Sequence, residues 1–191
     1  MALTTTPPGE LGSIAPEFAL LGVDGKTHRL SDYSASGAPP MKACVIVFMC
    51  NHCPYVKAIQ GRLNSLAREY QGRGVQVIGI NPNDASRYPD DSFDAMKRVA
   101  REQGYVFPYL LDDTQAVARA YGAVCTPDFF VYSPNTEGRL ALRYRGRLDD
   151  SWKDESQVKV RDLAQALDTI LDERPVSAEQ VHSMGCSIKW K

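Results

Sequence analysis

The sequence predicts an α/β domain with a central mixed β-sheet and helices on both of its faces. Apolar, β-branched runs alternate with amphipathic helical segments, which is typical of parallel strands joined by helices. The pair Asp24–Gly25 between two short apolar segments indicates an N-terminal β-hairpin. A second hairpin, turning at residues 135–138, is expected to add antiparallel strands near the end of the chain.

The first half of the chain contains the clearest element signals. Residues 42–49 are apolar without alternation, which predicts a central strand buried on both faces. Residues 54–70 have an apolar side chain every three or four positions, and glycines at 72 and 74 end this helix. The elements predicted here are strands over 15–20, 26–30, 42–49 and 75–80, a loop over 34–40 and a helix over 54–70.

The second half continues the alternation and adds one helix–strand unit around residues 92–111. Ser92 is a good N-cap for a helix that reaches about Gln103. The last helix stops before Pro175, because proline cannot continue a helix. The elements predicted here are helices over 92–103, 113–121 and 158–171, and strands over 106–111, 128–132 and 139–147.

Length and charge limit the organisation and the classes of function. The 191 residues suit one domain, which we place at 13–173, with a flexible N-terminal arm at 1–12 and a C-terminal tail at 174–191. The net charge of -1 gives no electrostatic footprint for nucleic acid or for an anionic membrane. The longest apolar run, 43–50, is far below the ~20 residues of a membrane helix. No secretory signal is evident, so we expect a cytoplasmic protein.

The five cysteines are the candidate chemical groups. Their number is odd and too small for a disulfide scaffold, and close spacing in a cytosolic chain indicates redox chemistry or metal binding. Cys44 lies inside a predicted strand and is expected to be a buried structural thiol. Cys50 and Cys53 lie where this strand passes into the amphipathic helix. Cys186 lies in the tail and Cys125 precedes a late strand.

Cys53 is expected to be a thiolate. Pro54 suits the first helical turn, which places Cys53 at or beside the N-cap. Backbone N–H groups and the positive end of the helix dipole then lower its pKa from ~8.5. The adjacent His52, when protonated, acts in the same direction. Cys50 is three residues earlier, close enough to form a disulfide with Cys53.

Three motifs carry a resemblance to the thioredoxin superfamily, on the branch shared by peroxiredoxins and cytochrome-maturation proteins. They are the opening hairpin that follows Ala15–Pro16–Glu17–Phe18, the segment CNHCPYVK after a buried strand, and Thr126–Pro127 before a late strand. With the C-terminal GCSIKWK, the chain resembles the peroxiredoxin-like subgroup of redoxin (AhpC/TSA-like) domains. The resemblance covers roughly residues 15–172 and implies a thioredoxin-like fold with an inserted αβ unit.

The resemblance also implies roles for individual residues. Pro127 should be a cis-proline facing the active cysteine, and the backbone of Thr126 should pair with an extended disulfide substrate. Alignment on Phe48 makes Cys53 the nucleophile and Cys50 its resolving partner. The reverse order, with Cys50 attacking and Cys53 resolving, stays open.

Three functions remain open at this stage. The first is disulfide exchange with a protein or small-molecule disulfide and an external thiol reductant. The second is reduction of a hydroperoxide, although Cys50 stands where peroxiredoxins have Thr or Ser, and Pro127 stands in the region of their arginine. In either case Cys125 or Cys186 is a candidate additional redox thiol.

The third function is a metal-binding module that uses Cys50, His52, Cys53 and Cys125. For the two redox functions we expect no cofactor and no metal, and the oligomeric state stays open. Residues 143–147 (RYRGR) are expected to form a solvated strand edge, with Arg147 a candidate to stabilise a thiolate.

Overall fold

The computed structural model describes residues 3–34 and 40–191, so most of the predicted loop at 34–40 lies outside the described residues. Among these residues no helix is long and apolar enough to cross a membrane. The strands are β1 (Leu3–Thr5), β2 (Ala19–Gly22), β3 (Thr27–Arg29), β4 (Ala43–Phe48), β5 (Val75–Asn81), β6 (Tyr109–Leu111), β7 (Cys125–Thr126), β8 (Asp128–Pro134), β9 (Leu140–Gly146) and β10 (Met184–Ser187). The helices are α1 (Leu30–Ser34), α2 (Pro54–Gln71), α3 (Phe93–Gln103), α4 (Ala116–Ala120) and α5 (Asp162–Leu171).

Seven strands form the central sheet in the order β3-β2-β6-β5-β4-β8-β9. The strands β4, β5 and β6 are parallel to one another. β8 is antiparallel to its neighbour β4, and β9 is antiparallel to β8. The hairpin β2–β3 joins the sheet through β6. The predicted mixed sheet, its N-terminal hairpin and the inserted α3–β6 unit are therefore confirmed.

The sheet separates two apolar cores, and β4 contributes to both. Each of its six residues is buried. Val45 and Val47 pack on the side of α2, α3 and α5, while Ile46 and Phe48 pack on the side of α4. This double burial explains the run without polar alternation and holds the end of β4, where Cys50 follows, in a rigid position.

Two helices begin later than the sequence pattern suggests. The segment 155–157 forms a 3-10 turn whose Ser156 N–H donates to the Asp154 carboxylate, so α5 begins at Asp162 and not at 158. Likewise, Gln115 has a left-handed backbone with φ 63°, and α4 begins only after it. Local side-chain and backbone geometry competes with the helix at both starts.

The ends of the described chain differ from the flexible arm and tail expected from the sequence. Leu3–Thr5 pairs with Met184–Cys186, and Cys186–Ser187 pairs in turn with Cys125–Thr126, which gives a second sheet in the order β1-β10-β7. Backbone hydrogen bonds and apolar burial stabilise this sheet. The edge of β7 offers backbone groups that need hydrogen-bond partners, and the side chain of Ile188, just after β10, is buried in the second core.

Candidate active site

Cys53 stands at the N-cap of the 18-residue helix α2, as the sequence predicts. Its backbone is extended, with φ -67° and ψ 124°, and Pro54 occupies the first helical turn. The side chain is fully buried, and Cys50 and Cys186 are 1% and 2% exposed. The site is therefore a closed cluster of three sulfurs beneath the protein surface.

Two groups contact the Cys53 sulfur from across the site. The Sγ of Cys186 lies 3.0 Å from the Sγ of Cys53, although 133 residues separate them. The carbonyl oxygen of Thr126 lies 3.1 Å from the same sulfur. A carbonyl can only accept a hydrogen bond, so it favours the thiol form of Cys53, whereas a neighbouring S–H can donate to the thiolate.

The balance of these contacts lowers the pKa of Cys53 to about 5. The largest cause is the hydrogen bond from the Cys50 thiol, and burial of the sulfur acts against it. The Cys186 thiol and the backbone N–H groups of Val56 and Cys186 lower the pKa further. The helix N-terminus thus contributes as expected, but the neighbouring thiols, which sequence reasoning did not include as donors, contribute first.

Cys50 is the protonated partner in this arrangement. Burial is the largest cause that raises its pKa well above the ordinary value, and its hydrogen bond to Cys53 adds to the effect. The Cys50 Sγ also lies 3.3 Å from the Thr126 hydroxyl oxygen. Thr126 therefore touches both sulfurs of the motif, one through its side chain and one through its backbone.

Pro127 follows a cis peptide bond after Thr126, as the resemblance implies. The next residue, Asp128, is fully buried and accepts hydrogen bonds from Arg145 at 2.9 and 3.3 Å. Arg145 is itself buried and also donates to the Gly122 carbonyl.

The prediction of a solvated strand edge at 143–147 is therefore wrong at Arg145. Arg147, the candidate for stabilising a thiolate, instead forms an ion pair with Asp162 at 2.9 Å.

The loop between Cys50 and Cys53 is fixed by Asp91, which sequence reasoning missed. This buried carboxylate accepts hydrogen bonds from the Asn51 backbone N–H (2.7 Å), from His52 Nδ1 (2.6 Å) and from the Asn83 amide (2.8 Å). The hydrogen bond to Asp91 is the main cause that raises the pKa of His52. His52 therefore directs its Nδ1 proton to Asp91 and acts on Cys53 only through its charge.

β10 covers the site by pairing with the segment before the cis-proline. Thr126 and Cys186 are register partners, and Ser183 donates a hydrogen bond to the Pro127 carbonyl at 2.9 Å. Gly185 approaches Thr126 so closely that a Cβ would lie 2.1 Å from its carbonyl oxygen. In this structure β10 therefore occupies the edge where the sequence analysis expected a substrate strand.

The metal-ligand set predicted from the sequence is not the one that the fold gathers. Within residues 3–34 and 40–191, the group with ligand atoms within 4.8 Å of one another is Cys50, His52 and Asp91. Cys125 is buried and points its sulfur at the Pro127 carbonyl, 3.5 Å away. Cys44 is a buried strand thiol, and burial raises its pKa to about 12.

The fold and the site together define a thioredoxin-fold protein. The thioredoxin domain of a thiol-disulfide oxidoreductase from Bacteroides vulgatus superposes with a TM-score of 0.55 at 20% identity, over 71% of this chain and 89% of that one. Residues 11–140 match the AhpC/TSA family. The chain belongs to the AhpC/TSA family.

The chain is also similar to two individual proteins. An uncharacterized conserved protein from Geobacillus kaustophilus is 46% identical and superposes with a TM-score of 0.89, over 100% of this chain and 97% of that one. Thiol-disulfide oxidoreductase ResA from Geobacillus thermodenitrificans is 27% identical over 125 residues, which are 65% of this chain and 64% of the relative. The match thus spans less than two thirds of that curated relative.

Proposed function

We propose that this protein is a thiol–disulfide oxidoreductase that uses Cys53 as its nucleophile. One observation carries the proposal. Cys53 is the thiol whose pKa falls below the ordinary value, whereas burial raises the pKa of Cys50 and of Cys186. At neutral pH the site therefore holds one thiolate and two thiols. The name of the relative ResA supports disulfide exchange as the reaction.

The first step is attack of the Cys53 thiolate on one sulfur of a substrate disulfide. A Cys53–substrate bond forms, the substrate S–S bond breaks, and the second substrate sulfur leaves as a thiolate that takes a proton. Cys50 then loses its proton and attacks the Cys53 sulfur. This releases the first substrate sulfur and forms a Cys50–Cys53 disulfide. The substrate gains two electrons, which an external dithiol later returns to the protein.

The reverse order, with Cys50 attacking first, is disfavoured by electrostatics. Cys50 lies beside the negative charges of Cys53 and Asp91, both of which raise its pKa in addition to burial. Because the thiolate is the nucleophile, a thiol that holds its proton attacks slowly. The contact with the Thr126 hydroxyl fits Cys50 as the resolving thiol.

Reduction of hydroperoxides is the second candidate, supported by membership of the AhpC/TSA family. The thiolate can be oxidised to a sulfenic acid that condenses with a neighbouring thiol and releases water. The surroundings favour disulfide exchange, however. Among the described residues, the buried arginine of this region, Arg145, is committed to Asp128 and does not contact Cys53.

The test is a comparison of rates on the fully reduced protein. We expect Cys53 to react with oxidised glutathione, Cys53→Ser to abolish the reaction, and Cys44→Ala to leave it unchanged because that thiol lies in a strand core. Peptide mass spectrometry identifies the sulfur modified first. If Cys53→Ser reacts as the parent does, the proposal fails. A reaction with hydrogen peroxide orders of magnitude faster than that of a free thiol would establish the peroxidase function instead.

A further inference from the structure

Cys186 is placed at the reacting sulfur by a strand and not by a mobile tail. Its Sγ lies 3.0 Å from that of Cys53, and it is 2% exposed. A disulfide needs about 2.05 Å, so closure requires a movement of about 1 Å. Cys53 therefore has a second thiol within reach besides Cys50.

The strand that carries Cys186 is held on both sides. β1 pairs with one edge of β10 and β7 with the other. Beyond the strand, the Ile188 N–H donates to the Val124 carbonyl. The Lys189 N–H donates to the Asn83 side-chain oxygen, and the Lys189 carbonyl accepts from the Asp84 N–H. Gly185 allows the backbone to approach Thr126, because any side chain there would collide with the Thr126 carbonyl.

We propose that Cys186 is a second resolving thiol for Cys53, so that the enzyme can close either a local disulfide with Cys50 or a long-range disulfide that fixes β10 over the site. This inference rests on the proposed function, since it begins from the same mixed disulfide on Cys53. It adds a third cysteine and a second oxidised state to that function.

The step balances as follows in atoms and electrons. Cys186 loses its proton and its sulfur attacks the Cys53 sulfur of the Cys53–substrate disulfide. The Cys53–Cys186 bond forms, the bond to substrate breaks, and the departing substrate thiolate takes up a proton. The two cysteines are oxidised by two electrons and the substrate disulfide is reduced to two thiols. An external dithiol restores both cysteines.

Electrostatics make Cys186 a nucleophile only after Cys53 has reacted. In the reduced protein, burial is the largest cause that raises the pKa of Cys186 to about 12, and the hydrogen bond to Cys53 and its charge add to it. Once Cys53 is part of a mixed disulfide, its negative charge is gone. The last two causes then vanish, and the Cys186 proton is lost more easily.

Cys125 does not fit the same role. Although it is adjacent to Thr126, its sulfur is directed to the Pro127 carbonyl, 3.5 Å away, and burial raises its pKa. It pairs through its backbone with Ser187, one residue beyond Cys186. Cys125 therefore serves as a matched control, because it is a buried thiol of the same small sheet.

The test counts thiolates released from DTNB, an aromatic disulfide whose thiolate product is coloured. Attack by Cys53 releases one equivalent, and resolution by a second cysteine releases another. We expect two equivalents from the parent, from Cys50→Ser and from Cys186→Ser, because one resolving thiol remains in each variant. The double variant of Cys50 and Cys186 should stop at one, and Cys50→Ser with Cys125→Ser should still release two.

Trypsin separates the two disulfides by mass. A Cys50–Cys53 bond lies within peptide 43–57, whereas a Cys53–Cys186 bond joins peptide 43–57 to peptide 162–189. Oxidised Cys50→Ser should yield the joined pair. This measurement also identifies any bond to Cys125, which lies in peptide 120–139.

The outcomes separate this inference from the proposed function. If Cys50→Ser releases one equivalent and stays as a mixed disulfide on Cys53, Cys186 does not resolve and only the inference fails. If the parent releases none, or Cys53→Ser releases as much as the parent, the proposed function fails. Circular dichroism of each reduced variant shows whether it is folded, and Cys50→Ala and Cys186→Ala replace any serine variant that is not.

Discussion

Gly185 makes the closure of the site testable without altering a sulfur. In Gly185→Ala the new Cβ would lie 2.1 Å from the Thr126 carbonyl oxygen and 2.9 Å from the Pro127 nitrogen. Ordinary van der Waals contact begins near 3.4 Å. β10 must therefore move away from the cis-proline segment by about 1 Å or more, which weakens its pairing with β7.

The cost of this collision sets the expected size of the effect. Inserting a methyl group into a well-packed region costs about 1–3 kcal/mol. The cost falls on the closed arrangement, because an open β10 holds the methyl in water. A bias of about 1–3 kcal/mol raises the open population about 5- to 150-fold.

The assay is the rate at which iodoacetamide alkylates Cys53, followed by peptide mass spectrometry at neutral pH. When opening and closing are fast, alkylation follows the open population, so we expect a similar 5- to 150-fold increase. Gly61→Ala is the matched control, because this exposed glycine of α2 has open space around its Cβ position. If folded Gly185→Ala is alkylated no faster than the control, β10 does not close the site.

Three further predictions concern the thiolate of Cys53, the buried ion pair of Arg145 with Asp128, and the pair of His52 with Asp91. The alkylation rate of Cys53 in the parent should rise with pH and level off well below ~8.5, the ordinary pKa of a thiol; a midpoint near 8.5 would contradict the assigned thiolate. Arg145→Leu leaves the buried Asp128 carboxylate unpaired, so urea unfolding should show a loss of about 3–5 kcal/mol in the free energy of unfolding, and a loss below about 1 kcal/mol would show that this ion pair does not hold Asp128 in the fold. Asp91→Asn removes the main cause that raises the pKa of His52, so its NMR titration midpoint should fall, and an unchanged midpoint would show that His52 is not paired as described.

The lowered pKa of Cys53 also determines how the stability of the protein depends on pH. The folded protein holds Cys53 with a pKa below that of the unfolded chain. The thiolate therefore contributes stability that is fully present above the unfolded pKa of about 8.5 and is lost as the pH falls through the folded value. We expect urea unfolding to show that the free energy of unfolding of the parent, measured relative to that of Cys53→Ala, increases as the pH rises from the folded pKa of Cys53 to about 8.5.

The elements that local patterns specify were predictable from the sequence. The strand β4 and the helix α2 each carry a continuous signal, an unbroken apolar run and an apolar stripe, which tertiary contacts then reinforce. The junction between them contains Cys50, Cys53 and Pro54. Because the junction is local, its role at a helix N-terminus followed from spacing alone.

The parts that depend on distant partners were not predictable. β1 and β10 are short and contain polar or small residues, so no periodic signal marks them as strands. β10 forms because the open edge of β7 accepts it, and β1 then pairs with the other edge of β10. Asp91 and Arg145 are charged residues whose sequence neighbours suggest exposure, and only the partners His52 and Asp128 explain their burial.

Because β10 comes late in the chain, the site is incomplete for part of the protein's synthesis. Cys186 is translated 133 residues after Cys53. At about 5–20 residues per second, roughly 7–27 s pass before it exists. Throughout this interval the strand that buries Cys53 is missing, and Cys50 is the thiol beside it in the chain. A nascent chain that meets an oxidant would therefore close the Cys50–Cys53 disulfide first, and the Cys53–Cys186 disulfide that we propose could form only after β10 has been synthesised.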